Sequence, residues 1–168
     1  MELSHRSKEF HTMSDAGKGE IRKFLNVPDN FTIMLHQGGA TGQYTAVLKN
    51  LVGIKPAKKA MYFTTGYWSE QCLEDARKHL PEENIIEVTN TKESNYQQMT
   101  DPSTWKIDAE ASYMHICTNE TVHGFEITED NFPWDMFPKD LLMVADMSSH
   151  IGTYDVNWDR FGVVYGGA

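Results

Sequence analysis

The sequence predicts an α/β protein in which helices flank a mostly parallel sheet in three layers, and three features carry the prediction. Leu141 to Ala145 is an unbroken apolar run, the form taken by strands buried on both faces, and it stops abruptly at Asp146. Strand-like and helix-like stretches alternate along most of the chain, the pattern of a doubly covered parallel sheet. A small-residue turn, Gly38-Gly39-Ala40-Thr41-Gly42, stands between an apolar run and a helical pattern.

In chain order, a helix is expected from a cap near Ser14, with Ile21, Phe24 and Leu25 on one face, weakened at its start by Gly17 and Gly19. Val27-Pro28-Asp29-Asn30 ends it. Phe31 to Leu35 reads as a strand, followed by the glycine turn and a helix from about Gln43 to Leu51 that turns Tyr44, Val47, Leu48 and Leu51 inward. Ala60 to Thr64 is the next strand, and Ser69 caps a helix running to about Leu80 with Leu73, Ala76 and Leu80 buried. Asn84 to Val88 is a short strand, 89–105 is polar and irregular, and Ser112 to Cys117 is a strand leading into Thr118-Asn119-Glu120-Thr121. A two-proline loop over 130–139 precedes the Leu141 run, and Phe161 to Ala168 closes the chain.

Size and charge narrow the function classes. The 168 residues fit a single domain with a real core, and no internal repeat or linker interrupts them. A formal charge of -9 argues against nucleic acid or an anionic membrane as the main partner, so an anionic ligand needs a local site. No apolar run approaches the roughly 20 residues of a membrane span, and the first residues lack the apolar core of a signal peptide. Cys72 and Cys117 have no metal-type spacing, and no metal site is expected; the cytoplasm is the expected compartment.

Polar or aromatic residues follow four of the expected strands: Gly38 to Thr41, Trp68, Asn119 to Thr121, and Asp146. Ligands of open parallel sheets sit at the carboxyl ends of strands, so these loops can converge on one ligand. A glycine turn opening a helix suits a phosphate, because unpaired N–H groups and the positive end of the helix dipole meet where no Cβ intervenes. Each feature alone also has a plainer reading. Asp146 serves equally as a turn or helix cap, Trp68 as core packing, Thr121 as a turn hydroxyl, and the glycines as steric relief.

Ser4-His5-Arg6-Ser7, the Gly38 to Gln43 turn, Gly66-Tyr67-Trp68-Ser69, His115 to Gly124, Val144 to Ser149, and Tyr154 to Ala168 together resemble the phosphoserine aminotransferase family, in order and over essentially the whole chain. That family consists of pyridoxal-phosphate enzymes of fold type I. The resemblance implies that residues 1–168 are a cofactor-binding large-domain segment, with the small C-terminal domain absent. It implies pyridoxal 5'-phosphate as cofactor and transfer of an amino group between glutamate and 3-phosphohydroxypyruvate, giving 2-oxoglutarate and phosphoserine. Ala40 and Thr41 would bind the cofactor phosphate, Trp68 would stack on the ring, Thr121 would bond the phenolic oxygen, and Asp146 would pair with the ring nitrogen. Asp146 and Trp68 are thus the implied catalytic residues, and His5 and Arg6 the implied contacts to substrate phosphate and carboxylate.

The family also implies a cytoplasmic homodimer. Its Gly-Ala strand end is followed by Gln-Lys, whose lysine carries the cofactor, and this sequence ends at Ala168, immediately before that position. The expectations are that the chain alone is inactive, and that the sheet lacks the inner strand lying between the first strand and the last. A different class of reading is a non-catalytic truncated paralogue that binds cofactor or phosphate without chemistry.

Overall fold

A computed structural model describes residues 2–167; Ala168, expected to end the last strand, lies outside them. The described residues form two compact units, one of residues 2–36 with 152–158, the other of residues 37–151 with 159–167.

The first unit is built on α1 (Lys8–Phe24), whose cap lies about two turns before the expected one at Ser14. Ser7 is the cap: its hydroxyl accepts the Phe10 N–H at 3.1 Å, and Glu9 complements the helix dipole from the first turn. Gly17 and Gly19 are tolerated inside. The expected apolar face does not bury: α1 has no buried residue, and Phe24 is exposed. The strand expected over Phe31–Leu35 is absent. A strand exists only through a ladder, and this segment joins no sheet among the described residues. Instead the Arg22 guanidinium collects the carbonyls of Val27, Pro28 and Phe31 at 3.0, 2.6 and 2.6 Å, closing the chain around the end of α1.

The second unit carries a five-stranded, wholly parallel sheet. Its strands are β1 (Lys59–Thr64), β2 (Ile85–Asn90), β3 (Ala111–Cys117), β6 (Leu142–Asp146) and β7 (Val163–Tyr165), in the order β2-β1-β3-β6-β7. A small antiparallel pair, β4 (Asn119–Glu120) and β5 (Phe125–Glu126), stands apart. Two helices, α2 (Gly39–Leu51) and α3 (Tyr67–Arg77), supply Tyr44, Val47, Leu48, Cys72, Leu73 and Ala76 to a core with Tyr62, Tyr113, Val144 and Tyr165. The inward residues of both helices are those that the 3.6-residue period selects, with Leu51 only partly buried at the end of α2 and Leu80, to which α3 was expected to run, lying partly buried three residues beyond its end. Against Phe63 of β1 pack aromatic rings from irregular segments, Trp105 at 4.7 Å and Phe132 at 5.2 Å between centroids.

Two boundaries move, and both matter for the site. The helix expected from Gln43 begins at Gly39, because Gly38 and Gly39 adopt φ of 108° and 61° and let the chain turn straight into it. The helix expected to be capped by Ser69 begins three residues earlier, at Tyr67 behind Gly66; Ser69 sits in its first turn and accepts the Thr65 and Gly66 N–H groups at 2.8 and 3.1 Å.

Candidate active site

The sheet order places a topological switch between β1 and β3: the chain leaves β1 toward β2 on one side and returns to β3 on the other. The loops after these strands must diverge, which opens a crevice at their carboxyl ends. A cleft of about 310 Å³ lies there, at the small end of the roughly 300–1,000 Å³ that ligand pockets span. Ala40, Thr41 and Tyr44 of α2 line it, with Trp68 after β1, Cys117, Asn119 and Thr121 at the end of β3 and beyond, Asp146, Ser148 and Ser149 at the end of β6 and beyond, and Gly167 after β7. All five residues expected around a cofactor, Ala40, Thr41, Trp68, Thr121 and Asp146, therefore border one space. His5 and Arg6 are in the first unit, exposed, at the turn that precedes α1.

At one wall, α2 offers its first turn. No side chain caps it, and the first intrahelical bond runs from Gly42 N–H to the Gly38 carbonyl, so the N–H groups of Gly39, Ala40 and Thr41 precede the helical ladder. Gly167 lies against this turn. A Cβ there would stand 2.5 Å from Ala40 N, so only glycine allows β7 and α2 to approach so closely.

On the floor, Asp146 ends β6 with 4% exposure, its backbone registered between Cys117 of β3 and Tyr165 of β7. Its carbonyl accepts the Thr118 N–H and hydroxyl, both at 3.0 Å. Its carboxylate accepts the Ser148 N–H at 2.9 Å and hydroxyl at 2.5 Å, both on Oδ1. Asp146 is thus also the turn residue of its plainer reading, and that turn engages the carboxylate through Oδ1. Ser148 is itself fixed, its Oγ accepting the Gly167 N–H at 2.9 Å.

Beneath Asp146, His115 is buried with Nε2 bonded to the Tyr165 hydroxyl at 2.7 Å. Burial pushes its pKa down to about 4 against the opposing pull of Asp146, so the imidazole is neutral at pH 7. The Tyr44 ring stands edge-on to His115 at 6.1 Å, and its hydroxyl is buried without a partner among the described residues. Burial, reinforced by the Asp146 charge, pushes that phenol well above its ordinary range and keeps it a donor.

The remaining wall is Trp68, 38% exposed in the first turn of α3. Reading the sequence placed Asn119 among the loops that can converge on a ligand, but assigned no role to Tyr44 beyond the core, nor to Cys117, Ser148 or Gly167. The hydroxyls after Asp146 and the glycine pair after β7 were visible, but their convergence depends on strand order.

Comparisons with known proteins bear on the family and the fold. A phosphoserine aminotransferase of Herminiimonas arsenicoxydans is 38% identical over 173 residues, covering 100% of this chain and 44% of that protein. One from Janthinobacterium sp. is 39% identical, and one from Shewanella piezotolerans 35%, each with the same two shares covered. The chain thus spans less than half the length of these curated relatives. A solved structure concerned with radiation damage of the Schiff base in phosphoserine aminotransferase superposes with a TM-score of 0.82 at 30% identity, covering 100% of this chain and 44% of that one. The PLP-bound phosphoserine aminotransferase of Trichomonas vaginalis gives 0.81 at 28% identity over 96% of this chain and 46% of that one. The sequence profile of the aminotransferase class-V family matches residues 1–168, and with it the whole of this chain belongs to that family.

Proposed function

We propose that the cleft binds pyridoxal 5'-phosphate and that residues 1–168 are the cofactor-binding large-domain segment of a phosphoserine aminotransferase, which exchanges an amino group between glutamate and 3-phosphohydroxypyruvate. One observation carries the reading: the five residues that the family resemblance implies for the cofactor, from four separate stretches of sequence, border a single cleft. The chemistry of the donor set fits that group. The uncapped first turn of α2 suits a phosphate dianion, with the Thr41 hydroxyl as a further donor. The Trp68 indole suits one face of a flat ring, and the Thr121 hydroxyl suits a phenolic oxygen. Asp146, with the Ser148 hydrogen bonds on Oδ1, can present Oδ2 to a pyridinium N–H.

When bound, the cofactor supplies an electron sink for the charge released as the substrate's α-proton leaves. Asp146 holds a proton on the ring nitrogen, and its burial strengthens that pairing by excluding water. Ser148 and the neutral His115–Tyr165 pair keep the floor rigid without adding a competing charge. We assign His5 and Arg6 to the phosphate and carboxylate of the substrate, a role that the planar guanidinium fork favours. A cytoplasmic homodimer completes the reading. Two buried free cysteines accord with a reducing compartment, and the dimer rests on the family resemblance.

Absorbance titration of the chain with pyridoxal phosphate tests the assignment. Saturable binding of one equivalent, weakened by both Asp146→Ala and Trp68→Ala, is expected. Binding that does not saturate, or that neither substitution alters, would overturn it. In a full-length protein containing this sequence, Asp146→Ala should abolish transamination with phosphoserine, and activity within about tenfold of the parent, roughly 1.4 kcal/mol, would refute the role of Asp146.

A further inference from the structure

The loops that diverge at the switch point between β1 and β3 are joined by one buried side chain. Glu120 is 0% exposed, and its two carboxylate oxygens accept different backbone donors at the start of α3: Oε2 the Trp68 N–H and Oε1 the Ser69 N–H, both at 2.9 Å. The N–H one residue earlier, on Tyr67, reaches His123 Nδ1 at 3.3 Å. Three successive donors of the first turn of α3 therefore end on the segment that follows β3. Gly66 completes the fit. A Cβ at that position would collide with the Glu120 side chain, so the backbone wraps the carboxylate only because residue 66 has none.

We propose that Glu120 is the positioning residue of the cleft, setting the Trp68 indole at a fixed distance from Thr121 and the Asp146 floor. The argument is geometric. Trp68 sits in the first turn of α3, on the connection from β1 toward β2, Thr121 sits on the segment after β3, whose chain goes on toward β6 on the other side of the switch, and Glu120 precedes Thr121 directly while holding the Trp68 backbone. An aromatic wall on a helix terminus would otherwise move with the fraying of that terminus. The buried carboxylate satisfies the orphan donors and complements the helix dipole, so the first turn of α3 is held in one place. The ligand that feels this is a flat, anionic heteroaromatic; that part rests on the pyridoxal phosphate assignment, whereas the positioning of Trp68 does not.

The test separates the two. Subtracting the emission of Trp68→Ala from that of the chain isolates the Trp68 fluorescence, and acrylamide quenching reports how freely the indole is reached. Glu120→Gln places an amide where one of two donors must be met by another donor, and should raise both the quenching of Trp68 and the Kd for pyridoxal phosphate, the latter about tenfold, as for a lost hydrogen bond to a charged group. In the Trp68→Ala background the same change should leave Kd unaltered, because Glu120 acts through Trp68. Gly66→Ala should reproduce both effects with Glu120 intact, by displacing its carboxylate. Unchanged Trp68 quenching in both variants, or an equal loss of affinity with and without Trp68, overturns the proposal. Loss of cooperative unfolding in both variants assigns the pair to stability alone and overturns it too. A parent chain that does not bind pyridoxal phosphate, with Trp68 quenching still raised by both variants, defeats the cofactor assignment and leaves the positioning role standing.

Discussion

Acid should destabilise this protein through a single buried imidazole. His115 is 1% exposed, pressed between Tyr44 and Tyr62 and bonded to the Tyr165 hydroxyl. Burial pushes its pKa from 6.5 down to about 4, with Asp146 opposing. The unfolded chain therefore takes up a proton first as pH falls. The stability His115 contributes is complete above pH 6.5 and is lost progressively between pH 6.5 and about 4. At 1.36 kcal/mol per pKa unit, the shift amounts to about 3 kcal/mol, or roughly 6–12 °C in melting temperature for a protein of this size. The comparison is with His115→Gln, which keeps an amide for Tyr165 and cannot titrate. Its repacking cost is the same at every pH, so only the change in the difference matters. Melting temperatures of both proteins from pH 4 to 8 should converge toward acid. Curves that stay parallel would refute the argument. His150, whose pKa is also lowered by burial, leaves a residual slope in both.

Further expectations concern separate parts of the chain. Leu48→Ala removes a side chain 1% exposed in the core between α2 and the sheet, and should cost about 2–5 kcal/mol in urea unfolding. Trp68→Ala should weaken pyridoxal phosphate binding through lost stacking, whereas Arg6→Ala should leave that binding unchanged and, in a full-length protein, raise KM for the phosphorylated substrate; equal effects of both on cofactor affinity would refute the division. Gly167→Ala should disturb the first turn of α2 and reduce binding of the phosphate moiety, measured as a larger loss for pyridoxal phosphate than for pyridoxal.

What the sequence determined is what local chemistry and periodicity can encode. The buried run ending at Asp146, the strands beginning near Ala60 and Ser112, and the inward faces of α2 and α3 were all legible, because a short continuous apolar run marks a strand buried on both faces and a 3.6-residue period marks a helix face, without reference to the rest of the chain. Helix starts were less so. Ser7 and Ser14 are both competent caps, and α3 can begin at Tyr67, behind a glycine with no capping side chain, only because Glu120, some fifty residues later, takes the donors a local cap would have met. The strand expected at Phe31–Leu35 shows the same limit from the other side: its composition is a strand's, but without a neighbour to complete a ladder its Phe31 carbonyl goes to Arg22. Tertiary structure alone decided that the switch lies between β1 and β3 and that a carboxylate between Trp68 and Thr121 is buried rather than solvated. Strand order is set by long-range pairing, and no residue carries it by itself.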